Sequence, residues 1–169
     1  MGGHGKFAEQ DLADGMHMVQ LNIIALMALT RLYLPAMLAR QLGRILNVSS
    51  TASFMPGPNQ AVYYATKAFV TSFSQAVAQE VSGSGVTVTV LCPGAVATGF
   101  VTAGNLQGVA AWDNAKSAQS VAQYGYKAMM RGELVAFNEA KLRFILDWII
   151  LLLPRRLVLK MSQMAMEKK

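Results

Sequence analysis

The chain has 169 residues, 53% of them hydrophobic and 14% charged, which is enough apolar material for one packed core and too much for a disordered chain. The formal net charge of +6 is not gathered into a stripe along a groove: from Arg131 onward eight Lys or Arg face four Asp or Glu, so most of the excess lies in the most apolar part of the chain. That distribution argues against nucleic-acid binding, while one cysteine and two histidines, with no H-E-x-x-H or C-x-x-C spacing, argue against a disulfide or a zinc site.

Met1 to Glu9 is Gly-rich and lacks the apolar stretch of a signal peptide, and a lone Cys92 fits a reducing compartment, so a cytoplasmic location is expected. Gly2, Gly3 and Gly5 imitate a phosphate loop, but no strand precedes them and they read as an ordinary loop. Over Asp11 to Gln41 the residues Leu12, Met16, Val19, Ile23, Leu26 and Leu34 recur at helical spacing, with Asp11 or Asp14 as N-cap. Pro35 is expected to kink or divide this helix and Gly43 to end it. Ile45 to Ser49 reads as a short buried strand, followed by the turn Pro56-Gly57-Pro58-Asn59. A second helix is expected from about Gln60 to Val81, bounded by Gly83 and Gly85, and the run V-T-V-T-V-L over 86–91 is strand chemistry that stops at Cys92-Pro93-Gly94. Ala95 to Ala115 has no clear period and reads as a long, partly helical loop over a ligand. Ser117 caps a helix to Met130, Glu133 to Phe137 reads as a strand, and the remainder is helical with a break at Pro154.

Strands alternating with helices indicate an α/β fold with a parallel sheet and right-handed crossovers. About three strands are found, where a doubly wound dinucleotide domain needs six, and no G-x-G-x-x-G follows any of them.

Tyr63 and Lys67 stand four apart on the second helix and share a face, while Ser50 ends the preceding strand, where parallel sheets present reactive groups. Singly, each has an ordinary reading: a solvated Tyr–Lys pair, a turn serine, a polar Asn22 in a helix. Jointly they can converge on a carbonyl. A phenol is a poor acid or base near neutrality, but a neighbouring ammonium favours phenolate. Lys67 would serve Tyr63 in that way, with Tyr63 exchanging a proton with the carbonyl oxygen and Ser50 hydrogen-bonding the same oxygen.

The runs G-R-I-L-N-V-S-S over 43–50, Y-Y-A-T-K-A-F over 63–69 and V-L-C-P-G-A-V-A-T over 90–98 resemble, in order and spacing, a short-chain dehydrogenase/reductase. The similarity covers nearly all of 5–137. It implies a partial Rossmann-like, doubly wound parallel sheet of about three strands over 1–138, followed by an apolar, basic helical tail over 139–169. It also implies Ser50, Tyr63, Lys67 and Asn22 as the catalytic set, with Asn22 anchoring a water that leads to Lys67. NADP or NAD is implied as cofactor, NADP being favoured, with Tyr63, Lys67, Pro93, Gly94, Val96 and Thr98 along the nicotinamide half. The family's phosphate loop, its NAD-or-NADP selecting residue and its adenine pocket fall before the first residue of this chain. The first strand is therefore expected to show an unpaired edge and an apolar face.

The expected reaction interconverts a secondary alcohol and a ketone or aldehyde, on an apolar substrate of the lipid or steroid kind that the tail resembles less specifically. The alternative is a non-enzymatic fragment that acts only by associating with an intact relative. The expected partners are the small apolar substrate and a second copy joined through the two long helices. Phe144 to Leu153 is too short to span a bilayer. Its preferred reading is a helix packed over the substrate pocket or a second subunit, and the other is peripheral membrane contact, with Arg155, Arg156 and Lys160 toward head groups. Cys92 reads as core.

Overall fold

A computed structural model of the protein describes residues 3–168, so Gly2 of the N-terminal glycine cluster lies outside the described residues. The first element is a long helical run made of α1 (Leu12–Val19), a π-helical turn over Gln20–Ala25 and α2 (Leu26–Ala39). The side chain of Asp11 caps it by accepting from the Ala13 amide at 2.8 Å, one of the two expected caps. Pro35 neither divides nor ends the run. It sits in α2 at an exposed position, where a lost intrahelical bond is least costly, and the irregularity falls instead in the π turn. The helix stops at Arg40, with Gln41 in left-handed backbone (φ 52°), so Gly43 is the first residue of the strand and not the end of the helix.

Three strands form the main sheet: β1 (Gly43–Val48), β2 (Val86–Leu91) and, after α5 (Ala118–Arg131), the two-residue β5 (Val135–Ala136). Their order is β1-β2-β5, all parallel, with Gly43 opposite Val86 and Val48 opposite Leu91. This is the α/β architecture expected from the sequence. β2 is central and mostly buried, as a parallel strand covered on both faces must be. β5 is shorter than Glu133–Phe137 suggests, because pairing with β2 involves only Val135 and Ala136. α3 (Ala61–Glu80) connects β1 to β2 and buries Val70 and Val77 against the sheet. The expected loop after β2 contains a second sheet that periodicity could not reveal. Its strands β3 (Val96–Ala97) and β4 (Lys116–Ser117) are only two residues long, and the short helix α4 (Phe100–Ala103) lies between them.

The tail consists of α6 (Ala140–Phe144), a π turn over Ile145–Ile149, α7 (Ile150–Leu152) and α8 (Arg155–Ala165), the last beginning at Pro154 as expected. It is not set apart from the sheet. Leu146, Ile150 and Val158 share one buried cluster with Val70, Val90, Cys92 and Phe137, where each large aliphatic side chain contributes about 1.5–3 kcal/mol. Met166 joins Leu106 and Val109 in a second cluster, so the end of the chain covers the segment after α4.

The N-terminal helical run is covered far less. The run Leu12–Ala39 is long and apolar enough to cross a membrane by length and composition, with a mean hydropathy of 1.6 over its best window and only 6% of that window buried. It also packs on the fold, through Met18, Thr30 and a hydrogen bond from Asn22 to α3. The outer edge of β1 has no neighbouring strand among the described residues.

The turn between α3 and β2 depends on Gly85, whose φ is +81° and whose position would drive any Cβ into the carbonyl of Gln41. Gly83 has a similar φ of +79° but nothing near it. In urea denaturation Gly85→Ala is expected to cost about 3 kcal/mol, against about 1 kcal/mol for Gly83→Ala, whose penalty is backbone strain alone.

Candidate active site

A seam of paired polar groups fixes the position of α3 relative to β1. Asn47, buried in β1, donates from Nδ2 to Ser74 Oγ at 2.9 Å. Two residues on, Ser49 Oγ donates to the Lys67 carbonyl at 2.9 Å and lies 2.7 Å from Thr71 Oγ1. Each of these groups would be costly to bury without its partner.

Just beyond that seam the chain turns into a short 3-10 helix, Thr51–Phe54, which Ser50 caps by accepting from the Ala52 amide at 3.1 Å. The same Ser50 hydroxyl hydrogen-bonds the phenol of Tyr63, which enters from the first turns of α3. Lys67, one helical turn further, places Nζ 5.8 Å from the centre of the Tyr63 ring and donates to the Val48 carbonyl at 3.0 Å. Ser50, Tyr63 and Lys67 thus meet at the C-terminal end of β1. Asn22 reaches this group only indirectly, because its Nδ2 donates to Thr66 Oγ1 at 3.0 Å and Thr66 in turn donates to the Tyr63 carbonyl at 2.8 Å.

The turn after β2 flanks the same place unevenly. Pro93 is buried, and its carbonyl accepts from the Thr51 amide at 2.9 Å, tying the turn to the segment that holds Ser50. Gly94 faces the tail: a Cβ there would come within 2.9 Å of Glu139 Oε1 and 3.0 Å of Leu142 Cδ1, the mobile ends of two side chains. Val96 is half-buried in β3, and exposed Thr98 accepts from the Phe100 amide at 3.2 Å.

The electrostatics correct one expectation. Burial pushes the Tyr63 phenol above its usual value; the hydrogen bond from Ser50 opposes this and Tyr64 adds to it, but Lys67 does not lower it. The physical reason is desolvation, which also holds the Lys67 ammonium below its usual value. The Lys67 amino group is directed at the Val48 carbonyl. Burial likewise raises the Cys92 thiol, and its full burial agrees with its reading as a core residue.

Three contributors escaped the sequence reading. The Phe100 ring packs against Tyr63 at 5.3 Å and against Trp112 at 6.3 Å, giving the phenol an apolar wall. Thr66 is the link from Asn22, and Thr71 is the partner of Ser49. The helical offset of Thr66 from Tyr63 was a usable signal. Phe100 had none, since it lies in a segment without periodicity. Among the described residues no cluster of three His, Cys, Asp or Glu is placed to hold a metal.

The family model for short chain dehydrogenase matches residues 1–107. The chain belongs to the short-chain dehydrogenases. It is 41% identical over 93 residues to the ketoacyl reductase HetN of a Nostoc species, an alignment covering 55% of this chain and 32% of that protein. It is also 42% identical over 81 residues to the very-long-chain 3-oxoacyl-CoA reductase of Rattus norvegicus, covering 48% and 26%. A short-chain dehydrogenase from Sphingobium yanoikuyae, solved in complex with NADPH, superposes with a TM-score of 0.79 at 26% identity over 89% of this chain and 58% of its own. The alignments to these two curated relatives thus span about a quarter to a third of their length.

In this short-chain dehydrogenase Lys67, at the end of β1, retains N–H donors beyond the one given to Val48, and Thr98, after β3, retains its hydroxyl hydrogen. The sequence has no Gly-rich phosphate loop following a strand. Followed by phenolate absorbance, Tyr63 is expected to titrate above the usual phenol value near 10, with Tyr63→Phe identifying its share of the signal. Ser50→Ala is expected to move it further upward, because the hydrogen bond that opposes the burial effect is lost.

Proposed function

We propose that this chain carries the catalytic half of an NAD(P)-dependent oxidoreductase that interconverts a secondary alcohol and a ketone or aldehyde. The observation that carries this reading is the hydrogen bond between Ser50 and Tyr63 at the end of β1, with Lys67 one helical turn from the phenol. Tyr63, kept protonated by its raised pKa, donates its proton to the carbonyl oxygen during reduction and recovers one from the alcohol during oxidation. Ser50 donates to the same oxygen as charge develops on it. Lys67 steadies the phenolate left behind. The Asn22–Thr66 link braces the Tyr63 backbone and so sets where the hydroxyl points.

A bound nicotinamide would supply or accept the hydride, held by Tyr63, Lys67, Pro93, Gly94, Val96 and Thr98. NADP is favoured over NAD, a preference supported by the NADPH complex of the structural neighbour and by a Haemophilus influenzae relative named a probable NADP-dependent dehydrogenase. An apolar substrate is supported by the Phe100 and Trp112 rings beside the phenol and by relatives named for ketoacyl and 3-oxoacyl groups.

The exposed apolar residues Leu12, Met16, Leu21, Leu29, Leu32 and Tyr33 on α1, the π turn and α2, beside the free edge of β1, support association with further polypeptide. A second copy joined through α1–α2 and α3 is the proposed partner. The same observation favours a second reading, in which the chain acts by association alone. NADPH titration followed by fluorescence separates the two, since tight binding overturns the purely associative reading.

In an assay of carbonyl reduction, Tyr63→Phe is expected to lower kcat by about a hundredfold or more with the fold intact. Reduction consumes the protonated phenol and oxidation needs the phenolate. Reduction should therefore fall, and oxidation rise, as the pH climbs toward the raised pKa of Tyr63, and Tyr63→Phe should flatten both limbs.

A further inference from the structure

We propose that the tail docks on the surface of an anionic lipid bilayer, inserting Phe144, Trp148, Leu151 and Leu152 between head groups. The helical run from Ala140 to Leu152 has two apolar faces and only one is used by the fold. Leu146 and Ile150 enter the core beside Val70 and Val90. On the other side Phe144 is 60% exposed, Trp148 66%, Leu151 76% and Leu152 85%. Large side chains so exposed and so close together mark a surface that meets something apolar. The patch continues onto α8 through exposed Leu157, Leu159, Met161 and Met164.

Charge selects the occupant. Between Ala140 and Met164 there are five cations, Lys141, Arg143, Arg155, Arg156 and Lys160, against one carboxylate, Asp147. That carboxylate lies 3.5 Å from Arg143. The cations are exposed, and Arg155 and Arg156 follow directly on the most exposed leucines without an ion pair among the described residues. An indole beside aliphatic tips, flanked along the chain by exposed cations, matches the layered chemistry of a bilayer interface, with an apolar boundary beneath anionic head groups. The run is too short to span, and Asp147 and Pro154 interrupt it, so it lies on the surface. A protein partner would leave the excess of positive charge unused unless that partner were itself acidic. The inference is independent of the redox reading.

Flotation of the full chain is the test, with phosphatidylcholine vesicles alone and with phosphatidylserine at about a quarter of the lipid. Anionic vesicles are expected to bind at least roughly tenfold more protein than neutral ones, with the difference shrinking in high salt. Leu151→Glu/Leu152→Glu and, separately, Arg155→Gln/Arg156→Gln should each reduce binding by roughly tenfold or more. All four positions are exposed, so both variants should retain wild-type circular dichroism and thermal melting. In a Trp112→Phe background the emission of Trp148 should shift to the blue on adding anionic vesicles and should stay unmoved with the leucine variant. Absence of flotation, equal binding to neutral vesicles, or full binding by either folded variant overturns the proposal. So does a self-association abolished by Leu151→Glu/Leu152→Glu in a chain that ignores lipid, which would assign the face to a second copy.

Discussion

The seam of buried hydrogen bonds between β1 and α3 is the constraint on which the rest of the site depends. Asn47 to Ser74, and Ser49 to both Thr71 and the Lys67 carbonyl, are the pairs involved. A hydrophobic contact between helix and strand tolerates sliding, whereas a buried amide or hydroxyl that loses its partner costs about 1–3 kcal/mol each. The helix is thereby held in one register and one rotation. Ser50, the next residue after Ser49, then faces Tyr63, and Lys67 lies over the last carbonyl of the strand. The catalytic geometry follows from pairs that take no part in the chemistry.

That arrangement sets a tension between burial and charge. Burial, to which the Phe100 ring contributes at Tyr63, removes water and so raises Tyr63 and lowers Lys67 together. Burial thus works against both charged forms, the phenolate and the ammonium. A phenol so placed keeps its proton for donation. Running the site as a base calls for groups that favour the phenolate, and the Ser50 hydroxyl already opposes the effect of burial.

The two uncovered apolar regions differ in kind. The face of α1 and α2 lies beside an unpaired sheet edge and carries few charges, which suits further polypeptide whose strands extend the sheet. The tail presents exposed aromatic and aliphatic tips flanked along the sequence by cations, and it offers no strand edge to pair.

Much of the fold was legible in the sequence because it is locally encoded. V-T-V-T-V-L has the composition of a strand and became β2 over those same residues, Asp11 and Ser117 cap their helices through their own side chains, and Tyr63 and Lys67 share a face by helical spacing alone. What the sequence could not determine depends on groups distant along the chain. The two-residue strands β3 and β4 exist only through each other, the helix runs on through Pro35 because that position faces solvent, and Gly85 is glycine because the carbonyl of Gln41 lies where a Cβ would go. The direction in which Tyr63 and Lys67 titrate belongs to this second group. Spacing tells which charges are neighbours, but only the packed structure decides how much water each has lost, and here desolvation outweighs the attraction between them.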